Sequence, residues 1–154
     1  FLNNPDAPFN DLSSGNEAVA VLDLRVELTS YMTLSLNGGF TRYIADADFE
    51  SYTELGFGGA LQVRFADPLG FNGRTWTATA SASTAQAAYD AADVTVNPFI
   101  ARNQFDVNLG FVLLVPLNDR LTLVGQTNYT NRTASLSNYA YQAVTTLVGI
   151  GWRF

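Results

Sequence analysis

Between residues 20 and 28 apolar and charged side chains alternate one for one. Leu22, Leu24, Val26 and Leu28 fall between Asp23, Arg25 and Glu27. A period of two predicts a β-strand with one apolar and one polar face. The pattern returns over 32–44, where Met32, Leu34, Leu36, Phe40 and Ile44 oppose Thr33, Ser35, Asn37 and Thr41. Over 55–65 the rows are Leu55, Phe57, Leu61, Val63 and Phe65 against Glu54, Gly56, Gly58, Gln62 and Arg64. A fourth strand is expected over 74–85, with Trp76 leading Ala78, Ala80 and Ala82 opposite threonines and serines. The AQAAYDAAD run that follows, rich in helix-favouring alanine, is read as a longer loop with room for one helical turn. The fifth strand, 98–115, sets Phe105, Val107, Leu109, Phe111, Leu113 and Val115 against Asp106, Asn108 and Gly110. The sixth, 121–130, sets Leu121, Leu123 and Tyr129 against Thr122, Gln126 and Asn128. The last, 141–154, carries Val144, Val148, Ile150, Trp152 and Phe154 on one side and Leu147, Gly149, Gly151 and Arg153 on the other.

The links carry turn chemistry. DPLGFNG follows the third strand and PLND the fifth, each pairing proline with Asp, Asn or Gly. Asp46, Asp48 and Glu50 form an acidic loop after the second strand, and polar residues 131–138 precede the last. Residues 1–15 hold two prolines, three asparagines and two aspartates without alternation, and read as an N-terminal arm or linker ahead of a single β-domain over 16–154. One fixed offset also places Tyr52, Arg64 and Phe65 on Tyr141, Arg153 and Phe154. The same offset puts Thr33, Leu34 and Thr41 on Thr122, Leu123 and Thr130. Strands one to three thus repeat as five to seven, with the fourth as a bridge.

Composition narrows the class. Among 154 residues 47% are hydrophobic but only 14% are charged, against roughly 25% in a typical soluble domain. No apolar run approaches the ~20 residues of a membrane-crossing helix. A closed β-barrel is the other structure that satisfies every backbone group in lipid. The absence of histidine removes Ser-His-Asp and Cys-His catalysis and imidazole metal sites, and the absence of cysteine removes disulfides and thiolate sites. A net charge of −6 with no basic cluster argues against a nucleic-acid partner.

With alternate apolar residues leading to Trp152 and Phe154, the end of the chain resembles bacterial outer-membrane β-barrels, which typically finish on such a strand with a terminal Phe. The resemblance implies an all-β, antiparallel, up-and-down transmembrane barrel, with seven strands visible and about eight in the closed form. It implies an outer-membrane location, contact with outer-membrane lipid, and recognition of the terminal strand by barrel-assembly machinery. Short links after strands one, three and five would then be periplasmic, and longer loops would face outward. Phe65, Trp76, Trp152 and Phe154 would form the periplasmic aromatic belt, and Tyr43, Tyr52, Tyr129 and Tyr141 the outer one. The final third also resembles barrel domains of secretion and surface-assembly proteins, through Arg102 with Asp106, Pro116, Tyr129, Ser137 with Asn138, Tyr139 with Tyr141, and Phe154. That implies a partner protein, a homo-oligomer or a larger envelope complex.

Seven is an odd count where single-chain bacterial barrels use even numbers. An irregular strand in 1–15, a strand upstream of Phe1, or a barrel shared between chains would each supply the balance.

Asp23, Arg25, Glu27, Glu54, Arg64, Asp106 and Arg153 share inward parity, and are expected to pair with one another as a lumen-facing network. Asp23 with Glu27 could suggest glycosidase carboxylates, but Arg25 between them argues for pairing. The acidic loop could attract a hard cation, but a solvated loop fits it better, with no other part of an EF-hand present. Gly56, Gly58 and Gly59 lie within a strand with no helix after them, which fits strand curvature and not a phosphate loop. The chain therefore reads as non-enzymatic, needing no cofactor or metal. Its expected role is a structural or porin-like barrel; the alternatives are the membrane part of a secretion or surface-assembly complex and a soluble secreted β-protein that binds a ligand.

Overall fold

The computed structural model describes residues 14–153. The expected arm therefore lies outside the described residues except for Ser14 and Gly15, as does Phe154. Seven strands follow in order: β1 (Gly15–Thr29), β2 (Met32–Ala45), β3 (Tyr52–Ala66), β4 (Thr75–Ala92), β5 (Ala101–Pro116), β6 (Leu121–Ala134) and β7 (Tyr141–Trp152). Each pairs antiparallel with the next, giving one up-and-down sheet in the order β1 to β7. Two short 3-10 turns, Asp48–Glu50 and Ser137–Tyr139, sit in the β2–β3 and β6–β7 loops.

The expected closed barrel is corrected to an open sheet. Among the described residues β1 and β7 have no strand on their outer sides. The reason lies in the count. Six successive reversals leave β1 and β7 running the same way, so they could meet only as a parallel pair, whereas every other junction is antiparallel.

The second correction concerns β4, which continues through the alanine-rich run to Ala92 where a loop was expected. Helix propensity is a weak local preference. Here β3 and β5 flank the segment and pair with it on both sides as far as Tyr52↔Tyr89 and Asn103↔Ala88. β6 likewise runs on to Ala134, into the stretch read as a polar loop.

The two-faced parity runs across the sheet with exceptions: Arg42 and Asp90 pair on the apolar side near the long-loop end, and Val112 and Leu147 stand in the polar row. Glu27, Thr33, Gln62, Thr79, Val112, Gln126 and Leu147 form one continuous rung of cross-strand partners, and all belong to the polar-row parity. The opposite face carries Leu22, Phe57, Leu109, Phe111 and Ile150, and these face outward from any core. Leu22 is 75% exposed and Ile150 68%. The few buried apolar residues, among them Ala45, Ala47, Ala87, Val115 and Leu136, lie chiefly near the strand ends.

The internal repeat is exact at the level of elements. The offset that superposes Tyr52 on Tyr141 carries β2 onto β6, the first 3-10 turn onto the second, and the start of β3 onto the start of β7. It also carries the cross-strand pair Tyr43↔Tyr52 onto Arg132↔Tyr141. In the first unit the loop is fastened by Ser51, only 2% exposed, whose hydroxyl accepts the Ala45 N–H at 2.9 Å.

At the other end, Asp67 organises the β3–β4 turn. Its carboxylate accepts the backbone N–H groups of Asn72 (2.7 Å), Leu69 (3.0 Å) and Gly73 (3.1 Å). Gly70 and Gly73 adopt φ of 63° and 66°, a region that disfavours a Cβ. Asn72 donates to the Pro116 carbonyl at 2.6 Å, tying this turn to the β5–β6 turn. The Asn72 N–H, then those of Leu69, Gly73 and Phe71, hold the Asp67 carboxyl below its usual range despite some opposing burial. A depressed carboxylate contributes stability above its unfolded value of about 3.9 and loses it as pH falls through the lower folded value. Amide exchange at Asn72 and Gly73 is therefore expected to stay slow from neutral pH down to about 4 and to accelerate below it, at matched intrinsic rates. The Asp67→Asn variant should show no such step.

Candidate functional site: a polar trough beneath a tyrosine–arginine rim

The polar row of the sheet lines a concavity. Side chains from β2 to β7, including Ser35, Asn37, Ser81, Ser83, Asn108 and Thr145, surround a cavity of about 610 Å³. Two adjacent rungs build its floor: Asn37, Gly58, Ser83, Asn108, Thr130 and Ala143, then Ser35, Ala60, Ser81, Gly110, Asn128 and Thr145. Every one of these residues is small or of modest size, which leaves the volume open. Thr130 donates its hydroxyl to Asn108 Oδ1 at 2.9 Å. The two glycines allow neighbours to lean over them. A Cβ at Gly58 would come within 2.6 Å of Asn37 Oδ1, and one at Gly110 within 2.5 Å of Ser81 Oγ.

At the long-loop end the same face changes character. Tyr43, Tyr52 and Tyr89 stand on one rung, with ring centroids 5.6 and 5.2 Å apart. The guanidinium of Arg102 continues the row, 3.6 Å from the Tyr89 ring centre and 4.5 Å from that of Tyr139. Such spacing suits cation–π attraction. Arg102 also lies 3.6 Å from the Glu50 carboxylate, so one side chain links both 3-10 turns to β4 and β5. Next to it Arg132 grips Asp106 through two bonds, Nε to Oδ1 at 2.7 Å and Nη2 to Oδ2 at 2.6 Å, and sits 5.3 Å over the Tyr141 ring. The bidentate geometry is the stronger form of the ion pair. The rim is thus made of tyrosine rings and arginines whose charges are already matched.

The sequence-expected network of Asp23, Arg25, Glu27, Glu54, Arg64, Asp106 and Arg153 is placed differently. All seven have polar-row parity, but no ion pair joins any two of them among the described residues. Asp106 pairs instead with Arg132, and Arg64 donates to the Ser30 carbonyl at 2.8 Å. The cross-strand partners of Asp23, Arg25 and Glu27 are the neutral Asn37, Ser35 and Thr33, so pairing within this network has no geometric route on that side. The ion pairs that do form are Arg42–Asp90, Arg74–Asp119, Arg102–Glu50 and Arg132–Asp106.

The aromatic residues divide between faces. Phe65 and Trp76 are apolar-face neighbours at the short-turn end, with rings 6.2 Å apart, and Trp152 shares that face. Tyr129 also has apolar-face parity, opposite Leu109. Tyr43, Tyr52 and Tyr141, expected in an outer lipid-side belt, stand on the polar face and build the rim. Tyr89 went unnoticed because it lay in the stretch read as loop. Continuing the odd-numbered row Ala85, Ala87, Tyr89 would have found it.

Among the described residues no three carboxylates converge as a metal site; Glu50 of the acidic loop turns to Arg102. No family model matches the chain, and neither a curated protein nor a solved structure matches it.

Proposed function

We propose that this chain forms the spanning wall of an outer-membrane β-barrel with a porin-like role, the trough being the lining of a water-filled passage for small polar solutes. The observation that carries the reading is the inverted sheet: exposed Leu22, Phe57, Leu109, Val148 and Ile150 on one side, a cavity of Ser, Asn, Gly and Thr on the other. Apolar outside and polar inside is what a spanning barrel requires. Strands of 12 to 18 residues exceed the ~9–11 needed to cross hydrocarbon when tilted. The small residues at mid-height favour an open passage over a lumen filled by its own side chains. The rim of Tyr43, Tyr52, Tyr89 and Arg102 would act as its selective mouth. Outer-membrane lipid is the partner of the apolar face, and no step of this role requires catalysis or a cofactor. The surface-assembly reading draws only on the free edges of β1 and β7.

Reconstitution into planar bilayers tests the proposal. The protein should give steady single-channel current, and Ser81→Trp, which places an indole in the trough over Gly110, should reduce that current while the strand content by circular dichroism stays unchanged. A protein that dissolves without detergent and leaves the bilayer silent would refute it.

A further inference from the structure

The two free edges and the internal repeat together specify what is missing between them. The repeat maps β1, β2 and β3 onto β5, β6 and β7, and β4 lies between the two units, pairing with β3 on one side and β5 on the other. We propose that one further strand of β4's chemistry, lying outside residues 1–154, seats between β7 and β1, pairing with β7 as β4 pairs with β3 and with β1 as β4 pairs with β5. This goes beyond the passage reading, because it holds equally for a sheet that carries no current.

Three observations support the occupant. The first is direction. β1 and β7 run the same way, so a single strand running opposite to both satisfies two edges with antiparallel ladders. A second copy held in the same membrane orientation would offer β1 against β7 in parallel only. The sequence of residues 1–13 carries Pro5 and Pro8 and lacks alternation.

The second is register. The rung that starts at Glu27 reaches Leu147 on β7. The repeat equivalent of Leu147 is Gly58, whose partner is Ser83, whose partner is Asn108, and Asn108 is the equivalent of Val19. The circuit therefore re-enters β1 at Val19, eight residues from Glu27, an even stagger that keeps the polar row on the polar side. Closing a sheet into a barrel demands a fixed stagger, and eight strands can close with a stagger of eight, as in (β/α)8 barrels.

The third is charge. By the same mapping the occupant's position equivalent to Thr79 faces Asp23, as Thr79 faces Val112 in the second unit. Asp23 and Glu27 have only neutral partners on β2, so at this one position the occupant departs from β4, a basic residue in place of threonine meeting the Asp23 carboxylate.

The test uses the intact chain in detergent micelles and a labelled synthetic peptide with the sequence of residues 75–92. Two peptide variants carry Thr79→Lys or Thr79→Glu. The lysine peptide should bind roughly tenfold more tightly than the glutamate peptide, the size expected of exchanging an unlike for a like cross-strand pair. Asp23→Asn in the protein should abolish that preference. A peptide with Ala82→Cys should form mixed disulfides with Val148→Cys and, separately, with Ala20→Cys, the chain itself having no cysteine. Absence of binding, equal binding of both peptides, or disulfides between two copies of Ala20→Cys that exclude the peptide would each overturn the proposal. A silent bilayer with intact peptide discrimination would instead remove the passage and leave the strand site standing.

Discussion

Replacing Leu109 by arginine is expected, on the proposed spanning role, to lower the stability of the protein folded in phospholipid vesicles by about 2–4 kcal/mol, the cost of a cation at a lipid-facing position near mid-membrane. Leu109 lies near the middle of β5, between Ala82 and Tyr129 on the apolar face, and is 48% exposed. Exposure makes the experiment decisive. In a water-soluble sheet, a half-exposed leucine changed to arginine should shift stability by only about 0.5 kcal/mol. Thr145→Arg on the polar row of β7 supplies the control, because its side chain faces the trough whichever solvent surrounds the sheet. Urea titration in vesicles, followed by the fluorescence of Trp76 and Trp152, would measure both. Equal small effects at the two positions would remove the lipid from the apolar face.

The second large effect is expected at Asp106. Its removal in Asp106→Ala leaves the Arg132 guanidinium on the rim with its main counter-charge gone. The pair is intermediate in burial, with side chains 31% exposed for Arg132 and 17% for Asp106. Surface pairs contribute about 0–1 kcal/mol, while orphaning one member of a buried pair costs about 3–5. Solvent screening at this rim places the expected loss near 2 kcal/mol. The Asp106→Ala, Arg132→Met double variant should recover part of that loss, since no unpaired cation remains. Asp119→Ala should cost far less, because Asp119 is 89% exposed in its bridge to Arg74. Denaturant midpoints of the four proteins check the order; an Asp119→Ala loss as large as that of Asp106→Ala would contradict it.

The rim also explains why charge parity alone did not give the ion pairs. Asp23, Arg25 and Glu27 are neighbours along one strand, alternate in sign and face one way, which invites a paired network. Side chains two apart on a strand project in parallel and stand roughly 6.6 Å apart by the strand rise, so good contacts come from across the ladder. The residues across the ladder are Asn37, Ser35 and Thr33. Asp106 has Arg132 directly opposite, and there the pair forms. In the repeat Arg132 corresponds to Tyr43, so the two units share backbone register while the rim chemistry differs.

What the chain's order of residues determined by itself is everything that depends on the backbone's period of two. The two-faced strands, their common parity, the proline and aspartate turns and the three-strand repeat all follow from neighbours a few positions apart. Tertiary structure alone decided the length of β4, because pairing on both sides overrides the helical leaning of alanine. It alone decided which carboxylate meets which arginine, because register brings together residues such as Glu50 and Arg102 that are distant in the chain. It also decided that Tyr43, Tyr52 and Tyr89 share one rung beside Arg102, although the polar-face parity of each tyrosine follows from the period of two. The open edges are of both kinds: the odd count of seven, and with it the common direction of the first and last strands, is legible in the sequence, but only the assembled sheet shows that β1 and β7 leave each other unpaired.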